Sequence, residues 1–450
     1  MKEGYHLCDA TLLTMKPGDP PFTGNLRIEG RYITALGDVG PEKDDTRFDC
    51  RDCVVLPGFI QTHLHLSQTL FRNTAEDLPL LDWLEQRILP FEAAHTAQSA
   101  SISAELAVAE LFLSGTTTAL TMEAARHVES VLEVAERRGL RAIVGKSLSD
   151  RPVRTADFSE RAEVAIADVL RLKEKWHGRD GGRIEICLAP RFALGCSEAL
   201  LRKSAEIADR EGLRIHTHAA ESYLETEQVR RETGQGNIEY LNSLGLLGPT
   251  TFIAHCIHLK PSEIALLAKS GTRVLHCPTA NLKLGSGIAP IPEMLDEGIS
   301  VTLGADGAAC NNRLDMLREM SLAVLIQSMR LGAGHLRAVD VLEMATRKAA
   351  QALGKEGEIG TLEAGKCADL VVMDLNWPNT CPSLDVVAAL VHAATPQNVR
   401  HVFVNGRQVV RNGSLTEIDP YELLPRAREN LSALLERARP AARACGRANG

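Results

Sequence analysis

No stretch of this 450-residue chain approaches the roughly 18 consecutive apolar residues of a membrane span. Its first residues, MKEGYHLCDATLL, lack the basic segment and sustained apolar core of an export signal. Neither sign of charge forms a long block: 50 Lys and Arg stand against 58 Asp and Glu, a net charge of −8. A nucleic-acid groove needs a basic stripe, so that partner class is excluded. The 11 cysteines are odd in number and lack framework spacing, which fits reduced thiols in a reducing compartment. The cytoplasm is therefore the expected location. Cys50 and Cys53 form a lone CxxC with no second pair to complete a zinc site, and read as structural.

What is present describes an ordinary globular chain. Hydrophobic residues make up 44% and charged residues 24%, values that argue against disorder. Residues 1–57 read as short strands, HLCDATLLTM and NLRIEGRYITALG, followed by a charged loop, PEKDDTRF. Such strands cannot bury both faces alone. The pattern returns at 359–418, where GTLEAGKCADLVVMDL and NVRHVFVNGRQVVRNGSL carry the hairpin signals Asn405-Gly406 and Asn412-Gly413. The expectation is one small β-sandwich domain assembled from both ends of the chain. A large domain, 58–358, is inserted between them. An Arg-rich helical tail, 419–450, follows as a surface or subunit-contact helix.

The inserted region alternates strands with helices. CVVLPGFI, GTTTALT, RAIVGKSL, IEICLAP, LRIHTHA, TFIAHCI, TRVLHCP and SVTLGADG are apolar runs, most of them separated by helical segments such as VESVLEVAERRG that end in glycine. Eight such units predict a (β/α)8 TIM barrel. His63, Lys146, Arg191, His218, His255 and Asp306 each fall at or just past a strand's C-terminal end, where barrel enzymes build their sites.

In a strand, residues i and i+2 share a face, so His63 and His65 in FIQTHLHLSQ can offer two imidazoles to one ion. The fifth strand adds His216-Thr217-His218, and the eighth adds Asp306. Spacing alone does not choose between His216 and His218. Three imidazoles and one carboxylate suit one borderline divalent cation: zinc first, then iron or manganese.

PGFIQTHLH, HTHAAES, AHC, HCPTANLKLGSG and LGADGA, in this order, resemble the amidohydrolase superfamily, in the branch of guanine and S-adenosylhomocysteine/methylthioadenosine deaminases. The resemblance covers almost the whole chain. It implies metal ligands His63, His65, His218 and Asp306, with His255 nearby. The family's ligand histidine followed three residues later by glutamate matches His218 and Glu221. It implies Glu221 as proton shuttle, Asp306 as the ligand that orients a metal-activated water, and His255 as a hydrogen-bond partner of the attacking oxygen. The fourth strand, IEICLAP, has no lysine to bridge two metals, so a mononuclear site is expected. The resemblance also implies a homodimer.

For the substrate, Arg191 in APRFALGCS offers only donors, which match a carbonyl oxygen or a ring nitrogen. Arginine is also the favoured reader of guanine O6 and N7. Phe192 would pack on the ring. Gln68 after the HxH, and VGKSLSDR around Lys146 and Asp150, resemble guanine deaminases. Trp83 and Glu92 in LLDWLEQRILPFE, and DGAACNNRLDM, resemble the adenosylhomocysteine enzymes. The expectation is guanine to xanthine. The alternative is deamination of adenosine-type nucleosides (S-adenosylhomocysteine, 5′-methylthioadenosine, adenosine), and beyond it hydrolysis of aminotriazines or chlorotriazines. A catalytically dead barrel used as a binding module is a separate class, against which the intact ligand set argues.

Overall fold

The computed structural model describes residues 4–153 and 159–438. The chain forms two sheets. The smaller unit grows from pairing between the two ends of the sequence. Cys53–Pro57 runs antiparallel to Leu370–Asp374, and this joins the N-terminal strands Gly4–Leu12, Phe22–Glu29 and Tyr32–Gly37 to the C-terminal Val399–Val404, Arg407–Arg411 and Ser414–Leu415. The charged stretch read as a loop contains one more strand, Asp45–Asp49, parallel to Gly4–Cys8. Its Phe48 is the apolar residue that the surrounding charges hid.

The expected sandwich is made by one branched, nine-stranded sheet rather than by two separate ones. Gly4–Leu12 pairs with Asp45–Asp49 along its first half and with Cys53–Pro57 at its end. The pairing shifts at a bulge beside Asp9, whose φ is +56°. The two arms then enclose one core, in which Phe48 lies edge-on to Phe403 and tilted against His401, and Tyr5 meets Phe403 at 5.0 Å. Asn405-Gly406 and Asn412-Gly413 have positive φ at both positions, as two-residue hairpin turns with this twist require.

The larger unit is a closed barrel. Its eight parallel strands are Phe59–His65, Thr116–Glu123, Arg141–Leu148, Ile184–Pro190, Ile215–Ala219, Thr251–His255, Arg273–His276 and an interrupted eighth. That last strand pairs with the seventh through Val301–Leu303 and with the first through Asp306–Gly307. Gly304 lies at the interruption, and a Cβ there would sit 2.6 Å from the His63 carbonyl oxygen. Closure therefore depends on glycine at that position. The intervening helices end where the sequence signals stop them: Val128–Arg138 at Gly139, Glu198–Glu211 at Gly212 and Pro261–Ser270 at Gly271, all left-handed.

Arg141, on the third strand, makes a two-pronged buried ion pair with Asp369, at 2.9 and 3.0 Å. Asp369 also accepts the Asn405 N–H, so one carboxylate ties the barrel to the small sheet. The tail forms a helix over Pro420–Ala438 that buries Leu423, Ala427 and Leu434 and packs on the helix Ala97–Leu113 of the same chain. Residues 439–450 of the expected tail lie outside the described residues. Among the described residues, no helix is long and apolar enough to cross a membrane.

Candidate active site

Four backbone positions at the C-terminal ends of the barrel strands have left-handed φ: Ala220 (+53°), His255 (+74°), Cys256 (+49°) and Asp306 (+63°). Non-glycine residues adopt this region at a cost, and such strain gathers at functional sites. Here it turns side chains inward. His63, His65 and Asp306 form one buried group of candidate ligand atoms within 4.8 Å of one another, and His63, His218 and His255 form a second. Asp306 Oδ1 lies 3.1 Å from His65 Nε2 and 3.3 Å from His63 Nε2.

Each imidazole is held from behind by its Nδ1. His65 meets the Met122 carbonyl, His218 the Arg191 carbonyl at 2.7 Å, and His255 the Asn281 Oδ1 at 2.8 Å. His63 Nδ1 lies 2.7 Å from His216 Nε2. This decides what spacing left open: His216 stands behind His63, and His218 faces the cluster. Neutral histidine that donates through Nδ1 presents a lone pair at Nε2. The Nε2 atoms of His63 and His255 are buried without a hydrogen bond, although carboxylate oxygens lie nearby. Unpaired buried nitrogens cost free energy. A divalent cation would satisfy them, and nitrogen with carboxylate suits a borderline ion. The residues present fit such a group.

The charges are arranged accordingly. Burial lowers the His63 pKa to about 4 and holds His218 well below its ordinary value. Burial alone would raise the Asp306 carboxyl, but His63 and His65 reverse this and hold it well below the usual range. Glu221 behaves oppositely. Burial first, then the nearby Asp306 and Glu225 carboxylates, push it well above the ordinary value. Its Oε2 lies 3.5 Å from His255 Nε2. Two neighbouring carboxyls with opposed shifts are the pattern of an acid–base pair.

Glu221 is aimed by a capping box that begins one residue later. Ser222 caps the helix Tyr223–Thr233, and Glu225 bonds back to the Glu221 and Ser222 N–H groups. The S-x-x-E spacing in AAESYLETE carried that signal. Glu123 does a similar job after the first strand, where it accepts from the Leu66 and Ser67 N–H groups. Asn281 and Glu123 were not singled out from the sequence, because their partners lie on other elements; Glu225 was not singled out either, although its capping-box spacing was legible.

A cavity of about 30 Å3 opens onto the cluster, lined by His65, Gln68, Trp83, Arg191, Phe192, His218, Glu221, His255 and Asp306 among others. Every expected catalytic and substrate residue except Glu92 thus borders it, and Glu92 stands directly behind. Arg191 borders the cavity with its guanidinium already engaged. Its guanidinium grips Glu92 at 2.7 and 3.2 Å, and Gln68 Nε2 donates to the same carboxylate at 2.9 Å. Burial would raise Glu92, but Arg191 beside it holds it below its ordinary value. Donors assigned to a purine edge are therefore engaged by Glu92, although the Gln68 Oε1 is left without a partner. The guanine-like reading of VGKSLSDR is also redirected. Lys146 is absent from the cavity lining and pairs with Glu160 and Asp168. Asp150 accepts from the N–H and hydroxyl of Ser197, the cap of the helix Glu198–Glu211.

Residues 54–409 match the Amidohydrolase family, and the chain belongs to that family. It is a hydrolase acting on C–N bonds, of the deaminase type. It is 37% identical over 416 residues to a 5-methylthioadenosine/S-adenosylhomocysteine deaminase of Syntrophomonas wolfei, covering 92% of this chain and 94% of that one. It is 38% identical over 377 residues to a 5′-deoxyadenosine deaminase of Methanopyrus kandleri, covering 84% and 85%. Among solved structures, an adenosine deaminase from Xanthomonas campestris with bound zinc superposes with a TM-score of 0.87 at 29% identity, covering 96% of this chain and all of that one.

Proposed function

We propose that this enzyme deaminates adenosine-type nucleosides at C6, 5′-methylthioadenosine and S-adenosylhomocysteine first among them, and not guanine. The observation that carries this reading is the Arg191–Glu92–Gln68 contact, in which the guanidinium is already engaged by a buried carboxylate instead of being held free for an oxygenated purine edge. The relatives named above support it from outside the structure.

His63, His65, His218 and Asp306 would hold one divalent cation, zinc in this reading, with His255 at its edge. When bound, such a cation supplies Lewis-acid activation of a water molecule. The chain's own groups do the rest. Asp306 holds the water in line with C6 and takes its first proton. Glu221, whose carboxyl burial pushes well above its ordinary value, takes the water's other proton and delivers it to ring nitrogen N1. His255 donates to Asn281 through Nδ1, so its Nε2 acts as an acceptor that orients the water. Asp306 passes the proton it holds to the amino group, which leaves as ammonia, so water enters, ammonia departs and both carboxyls end as they began.

A cavity of about 30 Å3 is far below the few hundred of a typical small-molecule site. Its lining residues Leu80, Trp83 and Leu84 come from one segment that continues into a π-helical turn, Leu84–Ile88. Substrate entry requires that segment to shift, after which Trp83 stacks on the base and Glu92 reaches the ribose hydroxyls. The deciding experiment measures ammonia release from methylthioadenosine, adenosylhomocysteine, 5′-deoxyadenosine, adenosine, guanine and an aminotriazine. Turnover of the nucleosides with inert guanine is expected. Turnover of guanine alone sinks the reading, and Gln68 with its unpartnered Oε1 then becomes the anchor.

A further inference from the structure

Asp306 and His255 reach the site from different strand ends, and each works only at the right angle. Asp306 opens the second part of the interrupted eighth strand, just before the loop that follows it. His255 is set by Asn281, which lies in the short helix Pro278–Lys283 after the seventh. One carboxylate from a third element touches both loops. Glu319, in the helix Met316–Leu331, is fully buried.

Its Oε1 accepts from the Thr279 hydroxyl at 2.6 Å and from the Asn311 amide at 2.8 Å, while Oε2 accepts from the Thr279 N–H at 3.1 Å. The same Asn311 amide donates to the carbonyl of Ala305, the residue before Asp306, at 2.7 Å. Thr279 in turn lies two residues from Asn281. No cationic side chain pairs with Glu319 among the described residues. Burying such a group is costly, and Glu319 is pushed up to about 7 by that burial despite its bonds to Thr279 and Asn311. Stability is an inefficient reason to keep a carboxylate there, since an apolar side chain would fill the volume without the cost. Its geometry is the better reason.

We infer that Glu319 is a positioning residue, locking the loops after barrel strands seven and eight into one register and so setting the angles at which His255 and Asp306 face the reaction. The inference rests on the roles proposed above for those two residues. Glutamine cannot replace Glu319 in this task. Three donors converge on it, and an amide would turn its own N–H2 toward one of them.

The test uses the full-length enzyme loaded with cobalt(II), in wild-type, Glu319→Gln, Thr279→Val and Asn281→Ala forms. Three quantities are read: the visible spectrum of the bound cobalt, kcat and KM separately, and the thermal midpoint. Glu319→Gln should lower kcat about tenfold or more, leave KM within about twofold, and shift the cobalt spectrum. Combined with Asn281→Ala, it should cost less than the product of the two single losses, because both act on His255. Thr279→Val, which keeps the N–H and loses the hydroxyl, should move kcat and the spectrum in the same direction by less. If both variants keep wild-type kcat and spectrum and only melt lower, Glu319 merely supports the fold and the inference is overturned. If Glu319→Gln does not fold, Thr279→Val decides by the same two readouts. The spectrum needs no substrate, so the two readings fail separately. A shifted spectrum in an enzyme inert toward adenosine-type nucleosides overturns the proposed reaction and supports this inference.

Discussion

The metal cluster and the wall that faces it share one cavity but are built on opposite terms. In the cluster, each imidazole is tethered from behind while buried nitrogens at its front lack a hydrogen bond. In the wall, Arg191 and the Gln68 amide N–H both donate to Glu92, and the Gln68 Oε1 is the atom left without a partner. The first region is poised to gain a ligand, and the second has its charged donor already engaged within the protein. A polar group therefore advertises function by being held yet unsatisfied, rather than by its residue type alone.

The sharpest way to break this comparison is at Glu221. Glu221→Gln should lower kcat by about 10²–10⁴-fold while metal content, read by elemental analysis, stays at one per chain. A loss of metal in parallel would make Glu221 part of the cluster's framework instead of its proton carrier. Next in size is the wall. Arg191→Met leaves Glu92 buried without its cation and should cost about 3–5 kcal/mol in denaturant unfolding. Adding Glu92→Gln should recover part of that cost without restoring nucleoside turnover. Equal loss in the single and double variants would mean that Arg191 is not principally Glu92's partner.

Smaller is the effect expected behind the cluster. His216→Leu removes the group that orients His63 and should weaken metal affinity about 10–100-fold, measured by chelator competition. Unchanged affinity would reduce His216 to a filler. The smallest is a control for the wall. Arg151 pairs with Glu232 at 2.9 Å, but both side chains are more than a third exposed to solvent. Arg151→Ala should therefore cost at most about 1 kcal/mol. A cost near that of Arg191→Met would show that burial is not what separates the two pairs.

How much could be read in advance follows the same division. The barrel was legible because parallel strands buried on both faces read as apolar runs, and because glycine marks the helix ends at Gly139, Gly212 and Gly271. Phe48 was not, since one apolar residue among charges gives no period. His63 and His65 were legible from a two-residue repeat within one strand. His216 and His218 show the same repeat, yet only the turn of the barrel decides which of them faces the ion.

Local chemistry thus determined the strand order and the histidine and carboxylate set, and the resemblance carried by those motifs implied the class of reaction. These depend on spacings of a few residues, which the covalent chain holds in any fold that forms those strands. The tertiary structure alone decided which donors were already spent. Arg191 meets Glu92 across 99 residues of chain, and Glu319 meets Thr279 across 40. Whether a buried side chain is satisfied depends on what lies within about 3 Å of it, and chain order does not encode that distance.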